Sequence, residues 1–248
     1  MGTDWKNSSD VAAGFDAYDD LPERVIGYPT VFKELRLGSA ARVLDYGCGP
    51  GKVALRAVEE FGAEVTAVDI SRAMLDIARQ QRAHPRISYH EVESGRLEFL
   101  ADASFDVAMS CYVFINIGNA AELQGIASEV FRVLRRGGRY AVLDTNPATT
   151  GIQFSTFLSG KPGCGYTAGA QRSVILDRPD GTTMTLFDYH WPRQTYLDVF
   201  HQAGFHGVTC AEPLLGDVGN LPGRPTEGNR DLAAEAVHPP FLIVTGVK

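Results

Sequence analysis

The run Val43-Leu44-Asp45-Tyr46-Gly47-Cys48-Gly49-Pro50-Gly51 constrains this chain more than any other stretch. It leaves a short apolar strand, Ala41 to Asp45, and enters a segment of helical period, Lys52 to Phe61. There Val53, Ala54, Ala57, Val58 and Phe61 recur close to every 3.6 residues. Glycines at such a turn allow positive φ and let the backbone approach a ligand closely. The helix that follows offers unpaired N–H groups to that ligand. Asp69 ends the next strand, Glu64 to Asp69, 18 positions after Gly51. A carboxylate there can accept hydrogen bonds from both hydroxyls of a ribose, so the pair points to a nucleoside cofactor. The dinucleotide fingerprint GxGxxG is not met, because Lys52 stands where its third glycine belongs.

The same alternation continues along the chain. Ser71 is a good N-cap for a helix running to about Ala83. Strands are predicted at Ile87 to Val92, Phe105 to Ser110 and Arg139 to Asp144, with a helix from Ala120 to Leu134 stopped by Gly137-Gly138. Such a pattern predicts an α/β fold with a doubly wound, mainly parallel sheet. After Asn146-Pro147 the pattern changes. Two β-rich runs, Ser173 to Asp177 and Thr182 to Tyr189, flank Arg178-Pro179-Asp180-Gly181 and predict a β-hairpin insertion. Gln194 to Ala203 reads as a helix, and Val208 to Glu212 and Phe241 to Val247 as the last two strands. That makes a seven-stranded sheet whose last strand is antiparallel. Gly216 to Pro240, rich in Gly, Pro and charge, reads as a mobile surface loop and candidate lid. Residues 10–37 read as one or two helices ahead of the first strand.

Composition narrows the partners. The chain has 248 residues, 44% hydrophobic and 21% charged, which is ordinary for a globular protein. Its net charge of −7 disfavours a nucleic-acid substrate. No run approaches the roughly 20 apolar residues that cross a bilayer. The first ten residues lack the basic and apolar regions of a signal peptide. Cys48, Cys111, Cys164 and Cys210 form no CxxC pair and no zinc spacing. The expectation is a cytoplasmic protein with reduced thiols, no bound metal and no membrane partner.

Four stretches, in order, resemble the motifs of class I S-adenosyl-L-methionine-dependent methyltransferases. The glycine run resembles their first motif, V-L-D-x-G-C-G-x-G. Val65-Thr66-Ala67-Val68-Asp69-Ile70-Ser71 resembles their second. Ser104-Phe105-Asp106-Val107 resembles the S-F-D-V that opens their fourth strand, and Glu129 to Gly138 their E-x-x-R-V-L-K-P-G-G. Ala203-Gly204-Phe205 resembles the A-G-F before the sixth strand. The resemblance implies that Gly47, Cys48, Gly49 and Gly51 pass under the methionine and ribose of S-adenosyl-L-methionine. It implies that Asp69 holds the ribose and Ile70 packs on the adenine, and that Asp45 orients the glycine loop. Glu93, with Ser94 beside it, takes the acidic position that contacts the adenine amino group. Ser110 and Cys111 face the sulfonium. The whole chain, 1–248, then reads as one domain. Residues 10–37 cap it, 40–147 form the cofactor core, 148–191 form an acceptor-side insertion and 192–248 complete the sheet.

Methyl transfer from a sulfonium is an in-line displacement, so the protein mainly aligns the acceptor and excludes water. A base is needed only where the acceptor must lose a proton. His190, at the end of the hairpin, and Tyr112, after the fourth strand, are the catalytic candidates. Phe154, Phe157, Tyr166, Phe187 and Trp191 suggest either a satellite core or an apolar acceptor pocket. Ser110-Cys111 stands where metal-dependent catechol-type relatives carry an Asp, and no N-P-P-Y-like motif follows. A small-molecule acceptor at oxygen, nitrogen or carbon remains. Two alternatives stay open: non-methylating chemistry with the same cofactor, and an NAD-dependent oxidoreductase.

Overall fold

In the computed structural model, residues 2–218 and 231–248 are described. The first strand, β1 (Arg42–Tyr46), pairs in parallel with β2 (Glu64–Asp69) on one side and β4 (Phe105–Cys111) on the other. Outside β2 lies β3 (Ile87–Glu91), and outside β4 lies β5 (Leu134–Thr145). The last strand, β10 (Phe241–Val247), runs antiparallel to both β5 and β9 (His206–Ala211). The sheet order is therefore β3-β2-β1-β4-β5-β10-β9, the predicted seven-stranded sheet with its last strand antiparallel.

Local chemistry sets the helices that cover it. In α3 (Lys52–Phe61), Val53, Ala54, Ala57 and Val58 are buried, and the helix stops at left-handed Gly62. Ser71 caps α4 (Arg72–Gln81) by accepting from the Met74 amide. Asn119 does the same for α5 (Ala120–Val133) through the Ala121 amide. The next helix, α6 (Arg193–Ala203), ends on left-handed Gly204. Cores lie on both faces of the sheet. One contains Val43, Val65 and Met109, and the other Leu44, Val68 and Val142, as period-two alternation in a covered sheet requires.

Three boundaries differ from expectation. The fifth strand begins at Leu134 rather than Arg139. Leu134 pairs with Phe105, and residues 135–138 bulge before Arg139 meets Val107. The insertion is a three-stranded sheet, because Phe157–Ser159 (β6) adds to the hairpin of β7 (Ala170–Asp177) and β8 (Thr183–His190). The stretch 216–240 is not plain loop at its flanks. Residues Leu215–Val218 form a 3-10 turn and Ala233–Val237 a short helix, α7, and Val218 and Glu235 are buried. Glu235 accepts from the Ser155 amide and hydroxyl. The lid expectation for 219–230 lies outside the described residues.

The front segment folds as α1 (Ser9–Asp16), a π-helical turn (Glu23–Gly27) and α2 (Tyr28–Leu35). Ahead of α1, Thr3 exchanges hydrogen bonds with Phe187 of β8. That contact carries Trp5 over the carboxyl ends of the strands. Among the described residues no helix is long and apolar enough to cross a membrane.

Candidate functional site

The strand order reverses between β1 and β4, and open α/β sheets bind ligands at that point, beyond the carboxyl ends. A cleft of about 240 Å³ opens there. The glycine turn forms one wall. The Gly47 and Cys48 amides both bond to Val68 O of β2, at 2.8 and 3.0 Å. Gly47 has φ +75°, and a Cβ there would run into Val113. Gly49 has φ +50°, and a Cβ there would meet nothing within 4 Å. The backbone at Gly49 is thus bare toward the cleft it lines.

Asp69 locks this wall. Its Oδ2 accepts from the Gly49 amide at 2.7 Å, and its Oδ1 from the Ser71 amide at 2.8 Å. Each carboxylate oxygen has two lone pairs, so one on each stays available to a ligand hydroxyl. Burial raises the Asp69 pKa, and the Ser71, Gly49 and Ile70 N–H groups oppose the rise. Opposite, α5 contributes Glu122 and Ile126. Glu122 accepts from the Ser94 hydroxyl at 2.5 Å. Ile70, Met74, Val92 and Ile126 give the cleft an apolar end. Among the described residues, Asp69 and Glu122 are the only charged ones that line it, and no Lys, Arg or His does. Such a cleft suits a cation and repels the pyrophosphate of a dinucleotide.

Asp45 lies behind the glycine turn rather than on the cleft wall. It is buried, with no partner for Oδ2. Burial, with the Asp69 charge added, pushes its pKa up to about 8. The folded protein therefore holds a proton there that the unfolded chain releases near pH 3.8. Stability from this group is full below that value and is lost as pH rises toward about 8. Denaturation midpoints should fall across this window, and Asp45→Asn should flatten the fall. Equal slopes for both proteins would refute the assignment.

A second, smaller cavity of about 40 Å³ adjoins the cleft. Trp5, Phe15, Tyr112 and Asn116 line both spaces. Asn116 is fixed between the Trp5 indole, which donates to its Oδ1 at 2.8 Å, and Tyr112 O, which accepts from its Nδ2 at 2.6 Å. Tyr112 has φ +61°, a sparsely populated region for a bulky residue and one that often marks functional sites. Its hydroxyl donates to Glu23 Oε1 at 2.8 Å.

Of the residues expected at the site, Gly47, Gly49, Asp69, Ile70, Ser94, Cys111 and Tyr112 line the cleft. Others do not. Cys48 is buried behind the turn, and Gly51 packs under Tyr89. Glu93 is exposed and off the cleft wall. The Gly95 amide donates to the Tyr46 hydroxyl at 2.6 Å, and the turn so fixed presents Ser94 instead. Ser110 is fully buried and shares a hydrogen bond with the Tyr140 hydroxyl. His190 lines neither space. It is buried beside Tyr166, and burial together with Arg172 lowers its pKa. Sequence reasoning missed Trp5, Phe15, Glu23, Asn116 and Glu122. Only the lone Trp in a polar N-terminal stretch was a visible signal.

Comparison with known proteins gives the family. A family model described as a methyltransferase domain matches residues 43–138. The N-demethylindolmycin N-methyltransferase of Streptomyces griseus is 36% identical over 254 residues, covering 99% of each chain. The chain belongs to the class I S-adenosylmethionine-dependent methyltransferases. A ubiquinone/menaquinone biosynthesis C-methyltransferase of Desulfotalea psychrophila is 31% identical, over 73% of this methyltransferase and 72% of its own length. The CcbJ methyltransferase structure from Streptomyces caelestis shares the fold, with a TM-score of 0.65 at 18% identity and 99% coverage of each chain. Family and cleft charge together set the oxidoreductase alternative aside.

Proposed function

We propose that this methyltransferase moves the methyl group of S-adenosylmethionine to a nitrogen of a small molecule, as a step of secondary metabolism. The observation that carries the reading is the end-to-end similarity to a small-molecule N-methyltransferase of Streptomyces griseus. The largely apolar recess that shares Trp5, Phe15, Tyr112 and Asn116 with the cleft supports a small acceptor that reaches from one space into the other.

The residues present fit S-adenosylmethionine, whose sulfonium supplies an electrophilic methyl group. The bare Gly49 backbone leaves room for it, and two acids with no lining cation match its charge. In this reading Gly47 and Gly49 give it passage and Asp69 takes the ribose hydroxyls. Ile70, Met74, Val92 and Ile126 flank the adenine, with Ser94 and Glu122 at its polar edge. Cys111 lines the cleft beside Tyr112, and Tyr112 stands where cleft and cavity meet and places the acceptor in line. Trp5 and Phe15 keep water out, which strengthens every polar contact inside. The four thiols are free, and the reading places the protein in the reducing cytoplasm.

The test is transfer of an isotope-labelled methyl group from S-adenosylmethionine to candidate small molecules, read by NMR. Label on nitrogen supports the reading. Label found only on carbon or oxygen, or retained on the cofactor throughout, contradicts it.

A further inference from the structure

The geometry points to Glu23 as the group that receives the acceptor's N–H, in a cavity built for an amine on an otherwise uncharged, apolar small molecule. The inference builds on the nitrogen acceptor proposed above.

Glu23 opens the π-helical turn and is 2% exposed. π turns inside helical segments recur at functional sites. Its Oε1 accepts from Tyr112, the Tyr18 hydroxyl lies close enough to favour its charged form, and its Oε2 makes no hydrogen bond of normal geometry. Buried polar atoms are normally paired, so an orphan on a cavity wall asks for a ligand donor. Among the described residues no cation answers it. The nearby Arg24 and Lys52 are engaged at Asp20, at 2.7 and 3.5 Å. The second acid of the cavity, Asp188, has both oxygens taken by Arg172. No Lys, Arg or His lines the cavity among the described residues. The rest of the wall is largely apolar, with Trp5, Phe15, Phe157, Val174, Leu176 and Leu186.

This surface selects. An anionic acceptor would meet Glu23 at low dielectric with nothing to offset it. An amine would give Oε2 the donor it lacks and place its body on the aromatic wall. In the transfer, the nitrogen lone pair forms the N–CH3 bond. The C–S bond breaks with its electron pair left on sulfur. The proton then shed by nitrogen passes to the Glu23 carboxylate and leaves to solvent with the product. Burial, with Asp20 adding to it, raises Glu23 to about 7, and the Tyr112 hydrogen bond opposes the rise. A proton acceptor near neutrality is well matched to this task. Tyr18, Tyr28 and Tyr112 also face Glu23, and burial raises all three phenols. They stay neutral and do not compete for the proton.

The experiment is calorimetric titration of the S-adenosylhomocysteine-bound protein with 2-phenylethylamine and, separately, 3-phenylpropionate. The amine should bind about tenfold tighter or better, with affinity rising as pH passes through about 7. Glu23→Gln should remove that advantage while S-adenosylhomocysteine affinity stays within about threefold. An amine bound no better than the acid, whether both bind or neither does, overturns the inference. So does amine affinity unchanged by Glu23→Gln. If that variant fails to bind S-adenosylhomocysteine, Tyr112→Phe decides. Loss of its hydrogen bond should move the pH rise upward, and an unmoved profile overturns the inference. Label transfer by the wild type tests the methyltransferase reading separately. Transfer to nitrogen with an indifferent Glu23→Gln would remove only the role given to Glu23.

Discussion

Asp69→Ala should weaken S-adenosylmethionine binding by roughly 10–150-fold, and Gly49→Val by about a hundredfold or more. The first figure follows from about 1.5–3 kcal/mol for hydrogen bonds to a charged group. Asp69 stands to lose more than a ligand contact. Its two oxygens also hold the Gly49 and Ser71 amides, at 2.7 and 2.8 Å, so the alanine leaves the cleft wall without its lock. Gly49→Val acts differently. The added Cβ would meet no protein atom within 4 Å. The substitution would fill the space left for the cofactor and hold a β-branched residue at φ +50°. Affinity should therefore collapse, with a loss of stability of about 1–3 kcal/mol from the strained backbone alone. Calorimetric affinities unchanged in both variants would place the cofactor elsewhere.

The largest loss of stability should come from Arg172→Met. Arg172 and Asp188 form an ion pair at 2.8 Å with side chains 1% and 4% exposed. Arg172 also donates to the Thr150 and Thr145 hydroxyls, at 2.8 and 2.7 Å. It thereby ties the small sheet to the end of β5. Removing one partner of a buried pair leaves an uncompensated charge and costs about 3–5 kcal/mol. For a chain of this size that lowers Tm by roughly 6–20 °C, at about 2–4 °C per kcal/mol. Burial already holds Asp188 at about 6 with the arginine present, so its charge without the arginine is costly. Arg172→Met/Asp188→Leu should recover most of the loss, since apolar groups of similar volume often replace buried pairs at little cost. A double variant as unstable as the single one would show that the pair does more than neutralise itself.

What the sequence revealed followed the range of its signals. The glycine turn, Asp69 and Ile70 sit on one strand–turn–helix unit and the strand beside it, where spacing along the chain fixes spacing in space. The strand number and the antiparallel last strand followed from the same alternation. The acceptor side was less legible because its contacts are remote. Tyr112 meets Glu23 across 89 positions, and Trp5 meets Asn116 across 111. No local pattern marks such pairs. Glu23 lies in a polar run, Asp19 to Arg24, that reads as ordinary helix surface until the π turn buries it. The choice between Glu93 and Ser94 depended on one hydrogen bond, Gly95 to Tyr46, 49 positions away. His190 shares the buried side of β8 with Leu186 and Asp188, but only those two reach the cavity wall. Alternation along a strand gives the face and not the distance to a site.

The account rests on a cleft that takes a cationic nucleoside and refuses a pyrophosphate. Thermal denaturation of the wild-type protein, with S-adenosylmethionine, S-adenosylhomocysteine or NADH at matched concentration, tests this directly. A ligand at a hundred times its Kd adds about 2.7 kcal/mol, which raises Tm by roughly 5–11 °C. The two S-adenosyl compounds should give shifts of that size, and NADH none. No shift with S-adenosylmethionine, or an equal shift with NADH, would contradict the account.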